Sequence, residues 1–345
     1  METFCLNKNT YSTTNGVCGN FGAQDAVSKF AKGMPIGVTH RSAWREGPEN
    51  SLLAIAASIE IGIDMAEIDV KKTKDGVLVL SHDTTIDRCT EQSGNISEYT
   101  WEELRIIPVK AEEGKDTNSE LYVLTKSDAE LLNGLPHYAE HSGTAREGDN
   151  LPLARLDDAL DLIKKIGPKT LINFDHCFTE EVFADCYIMF REHEMLDITF
   201  FKNSFSAEDM AKWYATAAEK WSEKHPEDPI TADDVRKSTL YVYIANWYDI
   251  PVPQAHLEKN GNLAMVEIVI PDDEAEKVAR AQIEPWCIKN KVPMFINTMW
   301  SGLCSTRPDT EQTWAEMIER GYKAIQTDHP RELTKFLADY NGRSK

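Results

Sequence analysis

Ile36-Gly37-Val38-Thr39-His40-Arg41, then the amphipathic text of residues 50–61, then Ala66-Glu67-Ile68-Asp69-Val70, is the stretch on which the fold turns. A short apolar run, a helix-length stretch and a second apolar run make one strand-helix unit followed by the next strand. Ile68 and Val70 are themselves apolar, which suits a buried strand of a parallel sheet. The same rhythm extends in both directions. Strands are predicted at 36–39, 66–70, 77–81, 170–174, 198–201, 240–244, 266–270, 294–296 and 324–326, and helices at 50–61, 156–166, 180–192, 207–223, 273–290, 311–320 and 330–340.

Seven or eight such alternations within roughly 310 residues predict an α/β chain closed on itself, a TIM (β/α)8 barrel. Residues 1 to about 33 are rich in Asn, Thr, Gly and Ser and read as an N-terminal extension, leaving 34–345 for the barrel. One region breaks the rhythm. Between about 89 and 152 the text is polar and rich in Glu and Gly, as in Glu112-Glu113-Gly114-Lys115-Asp116 and Gly143-Thr144-Ala145-Arg146-Glu147-Gly148, and reads as an inserted solvated segment. Residues 220–234 are charged enough to form a smaller surface excursion.

The formal charge of −20 opposes binding to nucleic acid or to an anionic membrane face, since phosphates are held by clustered Lys and Arg. A phosphate-bearing small molecule would have to be attracted locally, and a divalent cation held by converging carboxylates does that inside an acidic protein. The seven cysteines are scattered, odd in number and without a Cys-x-x-Cys pair, against a disulfide framework or zinc site. The N-terminus lacks the pattern of a secretory signal, and no run of about 18 apolar residues occurs, so no stable membrane insertion is expected. The expectation is a cytoplasmic enzyme, or a secreted or periplasmic one if a signal has been removed. Oligomeric state leaves no mark in the sequence.

His40 and Arg41 stand where the first strand ends, the end that faces the active site in a parallel barrel. A histidine there can exchange protons near neutral pH, and an arginine can grip a phosphate through two parallel hydrogen bonds. Glu67 and Asp69 are two apart on the next strand, so both project to one side. Carboxylates that close need a shared proton, a cation or solvent between them. Hard oxygen ligands select Mg²⁺ or Ca²⁺; an edge strand with both acids in water is the other reading. Thr73-Lys74-Asp75-Gly76 is a turn, after which Val77-Leu78-Val79-Leu80-Ser81-His82-Asp83 brings a second histidine to a strand end. Two histidines and a carboxylate pair at one rim are the ingredients of acid and base chemistry around a metal-bound phosphate.

His40-Arg41, Pro48-Glu49-Asn50-Ser51, Gly62, Glu67-x-Asp69-Val70, Thr73-x-Asp75-Gly76, His82-Asp83 and Asp87-Arg88-x-Thr90 stand in the order of the glycerophosphodiester phosphodiesterase signature, which the chain resembles. The likeness continues through Leu151-Pro152-Leu153-Ala154-Arg155-Leu156 and ends in Gly321-Tyr322-Lys323-Ala324-Ile325-Gln326-Thr327-Asp328-His329-Pro330. It implies metal-dependent hydrolysis of glycerophosphodiesters to glycerol 3-phosphate and an alcohol. His40 and His82 would be the catalytic pair, Glu67 and Asp69 the first metal carboxylates, and Arg41 the phosphate clamp. The family's third carboxylate comes from a Glu-x-Lys strand, which here reads Ile172-Asn173-Phe174-Asp175-His176-Cys177, so Asp175 would replace the glutamate and Cys177 the lysine. His176 would restore some positive charge, and Lys202 is a candidate substitute for the lysine, with a solvated strand-end lysine as the alternative. Ser42 stands where the family commonly has glycine. Phe295-Ile296-Asn297-Thr298 replaces a stretch in which a tryptophan often lines the pocket, leaving Asn297 as a candidate lining residue and Trp300 as a wall for the alcohol. The competing expectations are a related barrel phospholipase of the sphingomyelinase D kind, and a barrel that binds a phosphorylated ligand without cutting it.

Overall fold

The computed structural model describes residues 26–111, 120–175, 179–299 and 307–343. Nine strands run in chain order: β1 (Ile36–Thr39), β2 (Met65–Lys72), β3 (Leu78–Leu80), β4 (Leu171–Asp175), β5 (Thr199–Asn203), β6 (Leu240–Asn246), β7 (Leu263–Val269), β8 (Met294–Asn297) and β9 (Tyr322–Thr327). Among these described residues all but β3 pair in parallel in the order β1-β9-β8-β7-β6-β5-β4-β2, and β1 pairs β2 to close the ring. The chain is a TIM barrel of eight parallel strands.

Helices separate the strands. α1 (Ala26–Ala31) precedes β1, and α2 (Leu52–Ile61) joins β1 to β2. Three short helices, α3 (Trp101–Leu104), α4 (Lys126–Asn133) and α5 (Tyr138–Ser142), lie between β3 and α6 (Leu156–Ile166), which leads to β4. Then come α7 (Glu180–Glu192), α8 (Ala207–Lys224), α9 (Ala232–Ser238), α10 (Pro251–Ala255), α11 (Asp273–Ala281), α12 (Ile283–Asn290), α13 (Glu311–Glu319) and α14 (Pro330–Arg343). Among the described residues no helix is long and apolar enough to cross a membrane.

Two expectations need correction. Residues 77–81 are not one more parallel strand: β3 folds back antiparallel on β2, with Val70 opposite Leu80 and Lys72 opposite Leu78. The turn at Thr73-Lys74-Asp75-Gly76 forces this, because Gly76 adopts φ +87°, a left-handed conformation that suits glycine and reverses the chain at once. The expected helix over 273–290 is two helices broken at Gln282, whose φ is −126° and ψ −77°. Pro285 explains the break. It has no N–H to carry one ladder through that point, but it is tolerated in the first turn of a new helix.

The segment between β3 and α6 is tied to the barrel by polar contacts. His141 Nδ1 lies 2.9 Å from Asp158 Oδ1, and Trp101 Nε1 donates to the His141 carbonyl at 2.9 Å. Asp158 sits in the first turn of α6, where a carboxylate complements the helix dipole. Its side chain is buried, and that burial pushes its carboxyl up while His141 opposes the shift. His141→Ala would strand this acid without its partner. The expected loss is about 1–3 kcal/mol of unfolding free energy, read from the urea midpoint; a midpoint equal to that of the parent would show that the contact contributes nothing.

Candidate active site

The strand alternation decides what faces the barrel interior. Glu67, Asp69 and Lys71 are spaced by two along β2, and the parallel register sets Glu67 beside Asn173 and Asp69 beside Asp175 of β4. Glu67, Asp69 and Asp175 accordingly converge, each offering an oxygen within 4.8 Å of the others. Glu67 and Asp69 are fully buried. Burial first, and then the charges of Asp69 and Asp175, push the Glu67 carboxyl well above its ordinary value. Lys202 offsets part of this repulsion, and the hard carboxylate oxygens would also fit a divalent cation among them.

Neighbouring groups orient the cluster. Asn50 Nδ2 donates to Asp69 Oδ2 at 2.8 Å, and its Oδ1 accepts from the Asp69 backbone N–H at 3.0 Å. Glu67 Oε2 accepts from the Arg41 N–H at 2.5 Å and from Gln326 Nε2 at 3.1 Å. The sharp turn after β1 makes this possible. Arg41 and Ser42 adopt φ of +47° and +61°, which turns the chain over the barrel end and aims the Ser42 N–H at the Glu67 carbonyl at 2.7 Å.

His40 leaves the end of β1 directly into the same mouth. Its Nδ1 lies 2.9 Å from Asp328 Oδ1, and Asp328 also accepts from Trp44 Nε1 at 2.6 Å. Asp309 fixes the Asp328 backbone by accepting its N–H at 2.9 Å. Burial lowers the His40 pKa below that of an ordinary imidazole, with the Asp328 hydrogen bond opposing it. His82 arrives by the β2–β3 hairpin. Because β3 runs back beside β2, the Ser81 N–H reaches the Asp69 carbonyl at 3.0 Å, with His82 the next residue along the chain. Its Nδ1 lies 2.7 Å from Asp83 Oδ1. The His82 contact and then Arg88 hold Asp83 far below the usual carboxylate range. Glu49 links both sides: it accepts two hydrogen bonds from Arg88, at 2.6 and 2.7 Å, and one from Arg41 at 2.9 Å.

Lys202 is only 2% exposed. Its ammonium lies 2.6 Å from Asp175 Oδ2 and 2.7 Å from Glu267 Oε2. The solvated-lysine alternative is therefore excluded. Asp175, Glu267 and Glu67 more than offset the burial of Lys202 and raise its pKa far above the ordinary lysine value. Asn297 is buried at the end of β8, with its Oδ1 accepting the Met299 N–H at 3.2 Å. His176, Cys177 and Trp300 lie outside the described residues. Sequence reasoning assigned no role to Glu49, Asn50, Glu267, Gln326 or Asp328. Of these Glu49, Asn50, Gln326 and Asp328 stood inside motif text already singled out, whereas Glu267 carried no local signal.

Residues 40–182 match the Glycerophosphoryl diester phosphodiesterase family. A glycerophosphodiester phosphodiesterase of Caldanaerobacter subterraneus is 41% identical over 68 residues, which span 20% of this chain and 28% of that protein. The chain resembles this family over that stretch, which is less than half of its length. The solved structures agree at the level of the fold. A glycerophosphoryl diester phosphodiesterase from Parabacteroides distasonis superposes with a TM-score of 0.58 at 17% identity, over 91% of this chain and 92% of that one. An Oleispira antarctica phosphodiesterase, solved in complex with the product sn-glycerol-3-phosphate, gives 0.55 at 18% identity over 91% and 100% of the two chains.

Ser42 lies in the left-handed region, where a serine is strained, and its hydroxyl partly compensates by donating to the Glu67 carbonyl at 3.2 Å.

Proposed function

We propose that this protein hydrolyses glycerophosphodiesters to glycerol 3-phosphate and an alcohol, with His40 and His82 moving the protons. One observation carries the proposal. Glu67, Asp69 and Asp175 offer oxygens within 4.8 Å of one another, and the chain neighbours of both histidines bond to the residues of that cluster, the Arg41 N–H to the Glu67 carboxylate and the Ser81 N–H to the Asp69 backbone carbonyl. The family match over residues 40–182 and the product named for the Oleispira protein support the same reading.

Glu67, Asp69 and Asp175 would hold a divalent cation, Mg²⁺ or Ca²⁺, which when bound draws negative charge off the phosphate oxygens. The chain's own residues do the rest. His40 is kept neutral near pH 7 by its burial. With Asp328 engaging Nδ1, the tautomer assigned from that contact carries its proton there and accepts one at Nε2. The proton comes from the attacking oxygen, either water or the neighbouring glycerol hydroxyl. His82, oriented by Asp83, gives a proton to the leaving alcohol. Arg41 shares the phosphate charge, its guanidinium steadied by Glu49. Asn297 lines the far side of the mouth, and Lys202 acts on the site by orienting Asp175.

A panel of soluble glycerophosphodiesters, assayed for glycerol 3-phosphate with and without chelator, tests this. Metal-dependent release from at least one is expected. No release from any, with metal present, removes the substrate assignment; faster cleavage of lipid vesicles than of every soluble diester replaces it with a phospholipase.

A further inference from the structure

The basic side chains of the mouth differ in how their charge is used. Arg41 pairs with Glu49, Arg88 with Glu49 and Asp83, and Lys202 with Asp175 and Glu267. Lys71 follows a different pattern. It is the next residue after Glu67 and Asp69 in the alternation of β2, so it lies on the same barrel-facing side, at the outer end of the strand. Its ammonium donates to two backbone carbonyls, Ser81 at 3.0 Å and Val70 at 3.5 Å, and among the described residues it forms no ion pair with any carboxylate. Ser81 is the residue immediately before His82. The side chain is half-buried, and the charges that reach it are those of Asp69, Asp175, Asp83 and Glu67.

Charge balance shows what such a group is for. Glu67, Asp69, Asp175 and Glu267 face the single ammonium of Lys202 in the barrel end. Even a divalent cation on the first three leaves that set negative, in the place where a phosphate ester anion must settle. An ammonium at the rim with no carboxylate partner cancels the remainder, and it has a donor to spare beyond the two carbonyls. Holding the β2–β3 hairpin together is a task the carbonyl contacts share with the ladder itself, which already pairs Val70 with Leu80.

We propose that Lys71 is a further anion-binding cation of this site, beside Arg41, receiving a non-bridging oxygen of a phosphate mono- or diester next to His82. The identity of the ester rests on the hydrolase reading above; the presence of a phosphate site at Lys71 does not.

Titration of inorganic phosphate and of glycerol 3-phosphate into the Mg²⁺-saturated full chain, parent against Lys71→Met, tests it calorimetrically. Loss of one charge-assisted hydrogen bond should weaken both by about tenfold to a hundredfold, with Lys71→Arg recovering part and Mg²⁺ affinity changed by less than about threefold. Lys71→Gln, which keeps a donor toward Ser81, serves in place of Lys71→Met should that variant fail to fold. Unchanged phosphate affinity, a loss that only mirrors lost Mg²⁺ affinity, or a parent chain that binds no phosphate overturns the proposal. The two readings part cleanly. A parent that cleaves no diester but loses phosphate binding on Lys71→Met keeps the site and loses the reaction, whereas a parent that turns over with kcat/KM untouched by Lys71→Met keeps the reaction and loses the site.

Discussion

His40→Gln and His82→Gln should each lower kcat for glycerophosphodiester cleavage by about a hundredfold to ten-thousandfold, the range for removing a positioned acid or base. The pair should be less damaging than the product of the two, because groups that serve one reaction lose their separate value once either is gone. The pH profile separates them from merely structural residues. Burial lowers the His40 pKa and Asp328 opposes it, so the neutral base persists below about pH 6.5, the ordinary imidazole value. The acidic limb of kcat/KM, where His40 gains its proton and activity falls, should lie below that pH. Asp328→Asn removes the opposing contribution. It should carry the limb to still lower pH, and reduce kcat because the ring loses the partner that sets its tautomer. An acidic limb that stays in place in Asp328→Asn would take the base role away from His40.

How much of this could be read beforehand depended on the range over which the determining contacts act. Period-two spacing put Glu67 and Asp69 on one face, and α6 and α7 begin and end at the expected residues, because strand alternation and helix ends are written within a dozen positions. Joining Asp175 to that pair needed the β2–β4 register, which no local pattern contains. Read from sequence alone, His82 stands at the end of one more barrel strand, but that strand is antiparallel, and the chain doubles back so that Ser81, the residue before it, bonds the Asp69 carbonyl. The partners of the working groups were the hardest to foresee. Asp328 meets His40 from 288 residues away and Glu267 meets Lys202 from 65, distances at which only the closed ring of strands decides who touches whom. Gln282 shows the opposite case, a local break at Pro285 masked by an amphipathic pattern that runs on through it.

Glu67→Gln should separate stability from function more sharply than any other single change. In the metal-free chain Glu67 is buried beside Asp69 and Asp175, and its carboxyl is pushed up from the ordinary value by burial and then by those charges. The folded state therefore holds a proton that the unfolded chain has released once pH passes about 4.5. Unfolding free energy should fall as pH rises from there toward the raised folded value. Replacing the acid with an amide of the same shape removes that slope, so the metal-free variant should melt higher than the metal-free parent at neutral pH. A cation reverses the ranking. Parent protein at a metal concentration of about a hundred times its Kd gains about 2.7 kcal/mol, while the variant has lost one of three ligands and should need at least about a hundredfold more metal for the same shift. Lys202→Met acts one step removed, by loosening Asp175, and should weaken the metal by about tenfold to a hundredfold, as outer-shell changes do. Melting curves taken across pH, with chelator and with Mg²⁺ or Ca²⁺, read all of this without reference to turnover. If Glu67→Gln and the parent respond to metal alike, the three carboxylates do not share a cation, and their convergence needs another cause.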